Sequence, residues 1–251
     1  MIYFGVTLRS KAASKNWAHV VADFNRTLYS IYRQTDPDFR VIVACHDLPE
    51  LDREYDERVE FLQTDVPVPT TSLEMMQDKG YKLSMIGKRI RELGGGYTMI
   101  VDADDLVSNR IAAYVNAHPG KHGFVSRHGY IFNQGETWCR KALQPDQVCG
   151  SCLIVHYGVD DLPSVLPPAP SSPEGKDFIL RKPHPSIRPY LQEHGRPLSR
   201  IPFPTTVYMR NTGDNHSMLA GGRLGLKRRL EQALHRKIAV ERIADEFNLY
   251  L

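Results

Sequence analysis

The chain has 251 residues, of which 41% are hydrophobic and 24% charged, and its formal net charge is +3. This composition excludes a disordered chain, and the charge is too weak to indicate nucleic-acid binding. The sequence has no apolar run of about 18 residues and no N-terminal secretion signal, so we expect a cytoplasmic protein without a membrane span.

The first hundred residues alternate predicted strands and helices. Apolar, β-rich runs predict strands, and apolar residues at helical spacing predict helices. In chain order we expect a strand at 2–8, a helix at 17–32, strands at 40–45 and 59–62, a helix at 72–93 with Ser72 as its N-cap, and a strand at 97–101. This alternation predicts an α/β fold with a mostly parallel central sheet flanked by helices. Ligands of such sheets bind beyond the carboxyl ends of the strands.

The second half of the chain has a less regular pattern. We expect a short helix at 109–117, strands at 124–132, 151–157 and 206–210, a loop rich in proline and serine at 162–173, and a helix at 185–194. From residue 222 onward, spaced apolar residues predict a helical tail. This tail carries basic residues at 227–229 and 235–237. Peripheral contact with the inner face of a membrane, packing on its own domain, and contact with a second subunit in a homodimer all stay open.

An acidic cluster, Val101-Asp102-Ala103-Asp104-Asp105, ends the strand predicted at 97–101. Carboxylates separated by one residue at a strand end face the same space when the backbone turns there. Mg²⁺ and Mn²⁺ prefer oxygen ligands, and Mg²⁺ commonly takes one or two protein carboxylates together with phosphate oxygens. The cluster therefore predicts a site for a divalent cation and a nucleoside diphosphate. The alternative is an acidic turn that caps the helix expected near Asn109.

Three segments within the first 110 residues carry a family resemblance. They are the first strand, the segment Tyr29-Ser30-Ile31-Tyr32-Arg33-Gln34-Thr35 with the strand Phe39-Arg40-Val41-Ile42-Val43 that follows it, and Ile100-Val101-Asp102-Ala103-Asp104-Asp105. Together they resemble the GT-A glycosyltransferases, specifically family 2. The resemblance implies a GT-A catalytic domain over 1–221, with a nucleotide-sugar-binding half (1–110) and an acceptor half (111–221), followed by the tail at 222–251.

The same resemblance implies an activity. A metal-dependent glycosyltransferase of this kind uses Mn²⁺ or Mg²⁺ to move a sugar, with inversion, from a nucleotide-diphosphate donor to an acceptor hydroxyl. A UDP-sugar is the first expectation for the donor. A saccharide or glycolipid is the expected acceptor, in the synthesis of surface polysaccharide or glycolipid.

Metal ligands and nucleotide contacts follow from the resemblance by position. Asp104 is expected as the principal metal ligand, and Asp102 is expected on the metal or on the donor ribose. Asp105 is expected to orient both, and His216, a late histidine, to add a ligand. At the end of the first strand, the resemblance places three residues beside the nucleotide base, namely Thr7, Leu8 and Arg9. Asp47 joins them, one position later than the paired acids of many relatives.

Two further roles need basic or acidic side chains. Lys79, Lys82 and Arg89 lie on the helix before the acidic cluster, and Lys82 and Arg89 share a face of it, so they are candidates for binding the donor diphosphate; a solvated basic face is the alternative. Inverting transfer needs a general base for the acceptor hydroxyl. Asp177 is the first candidate and Asp214 the second.

Other functions and sites stay open in the sequence. A non-catalytic nucleotide-sugar-binding protein would keep the acidic cluster without a base. An Asp-x-Asp phosphatase normally has its motif near the N-terminus, followed by threonine or valine, where this chain has Leu106. A zinc site from Cys139, Cys149, Cys152 and His156 has suitable ligand types, and the alternative is that the cysteines are packed core residues.

Overall fold

The computed structural model of the chain describes residues 1–143, 146, 149–174, 177–210 and 237–250. Its helices and strands are, in chain order, β1 (Ile2–Thr7), α1 (Trp17–Tyr32), β2 (Phe39–Cys45), β3 (Val59–Gln63), α2 (Ser72–Glu92), β4 (Gly96–Asp102), β5 (Leu106–Val107), α3 (Ile111–Asn116), β6 (Gly123–Ser126), β7 (His128–Asn133), β8 (Trp138–Leu143), β9 (Leu153–Tyr157), α4 (His184–Glu193), β10 (Ser199–Ile201), β11 (Thr206–Arg210), β12 (Lys237–Ala239) and α5 (Ala244–Phe247). Short 3₁₀ turns lie at Val159–Asp161, Ile179–Arg181 and Val240–Arg242. None of the helices within these described ranges is long and apolar enough to cross a lipid bilayer.

The two long helices of the first half lie where the apolar spacing predicts them. α1 follows Asn16, whose side chain accepts a hydrogen bond from the His19 amide. The predicted N-cap of α2, Ser72, is wrong by one residue, because the cap is Thr71. Its hydroxyl accepts a hydrogen bond from the Glu74 amide, and the Glu74 carboxylate accepts one from the Thr71 amide. This reciprocal pair satisfies two amides that the start of a helix would otherwise leave without partners.

Two mixed sheets form the framework. The first has the strand order β10-β6-β9-β4-β1-β2-β3. Within it β4, β1, β2 and β3 run parallel, whereas β9 is antiparallel to both of its neighbours. The second sheet has the order β12-β8-β7-β11-β5 and is antiparallel except between β7 and β11. The fold is therefore α/β as predicted, but it has two mixed sheets where one central sheet was expected.

The single strand predicted at 124–132 is in fact two strands in different sheets. β6 ends at Ser126 in the first sheet, and β7 begins at His128 in the second. At the corner, the Ser126 hydroxyl lies 2.7 Å from the Phe203 carbonyl and accepts a hydrogen bond from the His128 amide at 3.2 Å. Apolar residues flank the polar corner on both sides, at 124–125 and 130–132, and the two short strands were therefore predicted as one.

The predicted helical tail, 222–251, is described only over 237–250. There the chain forms β12, which pairs antiparallel with β8, and then a 3₁₀ turn and the short helix α5. Phe247 and Leu249 are buried in the core of the second sheet, in one cluster with Phe132 and Val207. Over these residues the chain is an integral part of the second sheet, which differs from the continuous amphipathic helix expected there.

The first sheet is covered on both faces. Phe24 and Leu28 of α1 and Val115 of α3 pack on one face, and Ile86 and Ile90 of α2 pack on the other. Because β1, β2 and β4 are parallel, their carboxyl ends lie together at one edge of this sheet, where ligands of α/β proteins bind.

Candidate active site at the end of strand β4

Asp102 is the last residue of β4. The strand register places it beside Thr7 of β1, which in turn lies beside Ala44 of β2. The backbone turns directly after Asp102, with a 3.0 Å hydrogen bond from the Asp105 amide to the Asp102 carbonyl. The turn leads into β5, and α3 begins only at Ile111, without a side-chain cap. The acidic residues therefore do not cap this helix, and the alternative of a capping turn is wrong.

Asp105 is fully buried and lies at the centre of a hydrogen-bond network. Its Oδ2 accepts hydrogen bonds from the Ser151 hydroxyl at 2.7 Å and from the Cys149 thiol at 2.9 Å, and its Oδ1 accepts one from the Met209 amide at 3.2 Å. Burial, and then the two neighbouring aspartates, raise the pKa of Asp105 well above its ordinary value of 3.8. A buried acid with these partners supports the turn.

Further hydrogen bonds hold the acidic turn from three directions. The Ser151 hydroxyl, which donates to Asp105, also accepts from the Asp102 amide at 2.8 Å. Thr27 on α1 donates to the Ala103 carbonyl at 3.0 Å, and the Thr206 hydroxyl donates to the Ser151 carbonyl. Since α1, β11 and the segment before β9 all contribute, the turn is rigidly placed at the edge of the sheet.

Lys79, on α2, supplies a cation directly beside Asp102. Its Nζ lies 2.6 Å from Asp102 Oδ1, and the two side chains are 50% and 31% exposed. The Lys79 ammonium is the largest cause that holds the pKa of Asp102 below its ordinary value, and His184 adds a smaller effect of the same sign. In return, the Asp102 carboxylate raises the pKa of Lys79. The edge thus presents one ionised carboxylate and one ammonium, both accessible to solvent. Asp104, two residues on, is also partly exposed.

Two of the three basic residues on α2 that were candidates for binding the donor diphosphate are not brought to Asp102. Lys82 is 1% exposed, and its Nζ donates to Asp78 at 2.7 Å and to a main-chain carbonyl of the loop after β1 at 2.8 Å. Burial lowers the pKa of Lys82. Arg89 pairs with a glutamate of β3 at 2.9 Å, and it lies about 15 Å further along the helix axis than Lys79. Of the three basic candidates on α2, only Lys79 reaches the acidic turn.

The end of β1 lies at the same edge of the sheet. Thr7, Arg9 and Asp47 are partly exposed there, whereas the Leu8 side chain is buried in the core. Asp47 Oδ2 accepts a 2.7 Å hydrogen bond from the Lys11 amide, which ties the end of β2 to the loop after β1. Leu8 is therefore a core residue. Its side chain is not available for the predicted contact with a nucleotide base.

The remaining predicted residues lie later in the chain. Asp177 is exposed and precedes the 3₁₀ turn at Ile179–Arg181. That turn packs on α2, where a Cβ added at Gly80 would lie 2.9 Å from the Arg181 guanidinium. Asp214 and His216 lie outside the described residues, so their roles as second candidate base and as metal ligand stay predictions.

The sequence pattern did not predict that the segment Cys149-Gly150-Ser151 contributes to the acidic turn. Cys149 and Ser151 hold Asp105, and a Cβ added at Gly150 would lie 4.0 Å from Asp102 Oδ2. The segment reaches the acidic turn because β9 is antiparallel to β4, so the chain enters β9 where β4 ends. A sequence pattern that predicts parallel strands would place the residues before β9 at the opposite edge.

One group of possible metal ligands lies within the described part of the chain. Ligand atoms of Asp102, Asp105 and Cys149 all lie within 4.8 Å of one another. Burial raises the pKa of both the Cys149 thiol and Asp105, which disfavours the charged forms of these two groups that a metal ion would need. The other candidate zinc ligands do not join this group, and within the described ranges the zinc site is not assembled.

The chain matches no model of a known protein family, and it has no match among curated proteins. What the site can do follows from its geometry. The turn lies at the carboxyl edge of parallel strands. It carries the accessible carboxylate of Asp102, paired with the Lys79 ammonium, and the partly exposed carboxylate of Asp104 two residues later. Such an arrangement suits a phosphate-bearing ligand together with a divalent cation.

Proposed function

We propose that the protein is a metal-dependent glycosyltransferase that moves a sugar from a nucleotide-diphosphate donor to an acceptor hydroxyl with inversion. The observation that carries the proposal is the exposed Lys79–Asp102 pair, 2.6 Å apart, on the acidic turn that ends β4. The pair supplies the two groups that a diphosphate leaving group needs. They are a carboxylate that can bind a divalent cation and an ammonium that adds a second positive charge. The resemblance to GT-A glycosyltransferases adds support, and a UDP-sugar is the first candidate donor.

The residues of the turn fit a hard divalent cation. Asp102 is ionised because its pKa is low, and its Oδ2 faces Gly150, where the missing side chain leaves space. Asp104 offers a second, partly exposed carboxylate. We assign Asp102 and Asp104 as the residues that would hold Mn²⁺ or Mg²⁺, and Asp105 as their support. When bound, the cation neutralises the charge that develops on the leaving diphosphate.

Lys79 is assigned to the diphosphate itself. Its ammonium pairs with Asp102 Oδ1, and a cation held by the same carboxylate would weaken that pair by repulsion. The freed ammonium is then within reach of the phosphate oxygens at the same edge. Lysine acts in such sites as a compact positive charge. Thr7, Arg9 and Asp47, beside the end of β4, are the residues assigned to the nucleoside.

A thermal-shift panel tests the proposal. UDP-, GDP-, CMP- and TDP-sugars are added with and without Mn²⁺, since a ligand that binds the native state raises the unfolding midpoint. We expect a Mn²⁺-dependent shift with one nucleotide class, which Asp104→Ala abolishes. Asp160→Ala is the matched control, because Asp160 is 97% exposed just beyond β9, at the end of the first sheet that lies away from Asp102.

The outcome also separates the alternatives. Nucleoside diphosphate release with Mn²⁺ supports a transferase, whereas donor binding without release, in the presence of any acceptor, supports a non-catalytic binding protein. Release of phosphate from a phosphomonoester, lost in Asp102→Asn, would indicate the phosphatase. A shift that persists unchanged in Asp104→Ala removes the metal assignment.

A further inference from the structure

His184, the first residue of α4, lies beside Gly150 and close to the acidic turn. A Cβ added at Gly150 would lie 3.8 Å from His184 Cβ and 4.0 Å from both His184 Cδ2 and Asp102 Oδ2. The imidazole and the carboxylate therefore lie no more than about 8 Å apart, since each is 4.0 Å from the same point. Gly150 has no side chain, so no Cβ occupies the space between the imidazole and the carboxylate. The electrostatic effect of His184 on the pKa of Asp102 agrees with this proximity.

A main-chain hydrogen bond determines which ring nitrogen of His184 is available. Nδ1 lies 2.8 Å from the Asp146 carbonyl oxygen. A carbonyl oxygen can only accept, so Nδ1 carries the hydrogen and the neutral ring has its lone pair on Nε2. No hydrogen-bond partner of Nε2 lies among the described residues.

The orientation of the ring is held at a second point. Asp146 is 1% exposed, and its Oδ2 lies 3.1 Å from an Nη1 of Arg188, one turn after His184 on α4. Both the main chain and the side chain of Asp146 thus bind the first turns of α4. A general base needs such a fixed direction for its accepting atom.

His184 lies beside the possible metal ligands without being one of them. The ligand atoms that share a 4.8 Å cluster in the described chain belong to Asp102, Asp105 and Cys149. His184 does not join this cluster, although the same point beside Gly150 lies 4.0 Å from both its Cδ2 and Asp102 Oδ2. An imidazole at this position is close to the acidic turn, where the acceptor hydroxyl must approach the donor.

We propose that His184 is the general base of the transfer, a role that rests on the glycosyltransferase function proposed above. As the acceptor oxygen forms its bond to the anomeric carbon, its proton passes to Nε2 of His184. The bond from the anomeric carbon to the diphosphate oxygen breaks, and its electron pair leaves with the diphosphate toward Lys79. The imidazolium that results keeps its hydrogen bond from Nδ1 to the Asp146 carbonyl. This assignment replaces Asp177, the first candidate from the sequence.

The test compares His184→Gln with His194→Gln in the full chain. His194, the residue directly after α4, is a close match, because its Nδ1 also bonds a main-chain carbonyl, that of Tyr190 at 2.8 Å. The reaction is Mn²⁺-dependent hydrolysis of the nucleotide sugar that stabilises the wild-type protein in the panel above, beginning with UDP-glucose, with release of nucleoside diphosphate as the readout. Water takes the place of the acceptor and loses its proton to the same base.

We expect His184→Gln to lower kcat by roughly 100-fold or more, since general bases contribute about that much. Its Kd for the nucleotide sugar should stay within about twofold of the wild-type value, and His194→Gln should match the wild type in both. His184→Gly with added imidazole should recover turnover, and imidazole should leave the wild type unchanged. This rescue also decides the matter if the glutamine variant does not fold.

Three results would overturn the assignment: a fall in kcat of less than about 100-fold, a parallel loss of donor binding, or no rescue by imidazole in His184→Gly. If the wild type binds no nucleotide sugar with Mn²⁺, the proposed function fails and the base assignment falls with it. If the wild type binds and hydrolyses the donor and His184→Gln does so equally, only the base assignment is wrong.

Discussion

Replacing Lys79 by methionine should have opposite effects on the two ligands of the site. Lys79→Met removes the ammonium that lies 2.6 Å from Asp102 Oδ1 and keeps much of the aliphatic chain. Without the ammonium, the Asp102 carboxylate is free for a cation, and the diphosphate loses one positive charge. We therefore expect tighter Mn²⁺ binding and weaker donor binding from the same substitution.

The size of the effect on Mn²⁺ follows from the charges. Two unit charges about 4 Å apart in water repel by about 1 kcal/mol, and a divalent ion and an ammonium at that separation would repel by about twice as much. About 2 kcal/mol corresponds to roughly 30-fold in Kd. Screening at physiological salt reduces the gain to roughly tenfold. The loss of the ion pair itself costs only about 0.2–1 kcal/mol of stability, because both side chains are partly exposed.

The assay is titration of Mn²⁺ into the protein, with free Mn²⁺ measured by electron paramagnetic resonance. Lys88→Met is the matched control, since Lys88 lies on the same helix, pairs with Glu92 and carries the same charge, but is about 14 Å further along the axis. Donor Kd for the nucleotide sugar that binds in the panel is measured in parallel. Equal Mn²⁺ affinity in the two variants, or weaker Mn²⁺ binding in Lys79→Met, would refute the assignment of Asp102 as a ligand shared between the cation and Lys79.

Three further substitutions test the supports of the site by urea denaturation. Ser151→Ala leaves the Asp102 amide without its partner and removes one of the two hydrogen bonds to Asp105 Oδ2, so it should cost about 1–3 kcal/mol. A loss no larger than that of Ser186→Ala, an exposed serine, would contradict the network. Because burial raises the pKa of Asp105, the folded protein holds a proton there that the unfolded chain releases above pH 3.8. The contribution of Asp105 to the free energy of unfolding is thus complete below pH 3.8. It falls as the pH rises toward the raised pKa, by at most about 1.4 kcal/mol per pH unit. From pH 4 to pH 7, the stability of Asp105→Asn should therefore decline less than that of the wild type, and equal slopes would contradict this prediction. Lys82→Met leaves Asp78 buried without its cation and should cost about 3–5 kcal/mol; adding Asp78→Leu should recover part of that loss, and no recovery would mean that the pair is not the cause.

Local patterns determined the framework of the first half. The helices at Trp17–Tyr32 and Ser72–Glu92, and the strands of β1 to β4, were predicted to within about two residues, because apolar spacing reflects which face of each element is buried. The position of the acidic turn followed directly, since parallel strands present their carboxyl ends at one edge. The order of strands and helices was therefore sufficient to predict that Asp102 lies at that edge.

The residues that surround the turn could not be found in this way. Lys79 and not Lys82 reaches Asp102, although the two lie three residues apart on one helix, because the rotation of the helix about its axis buries Lys82. His184 and Ser151 approach the turn only through the antiparallel direction of β9 and the anchoring of α4. Contacts between segments tens of residues apart depend on how sheets and helices pack. Local sequence patterns do not predict that packing.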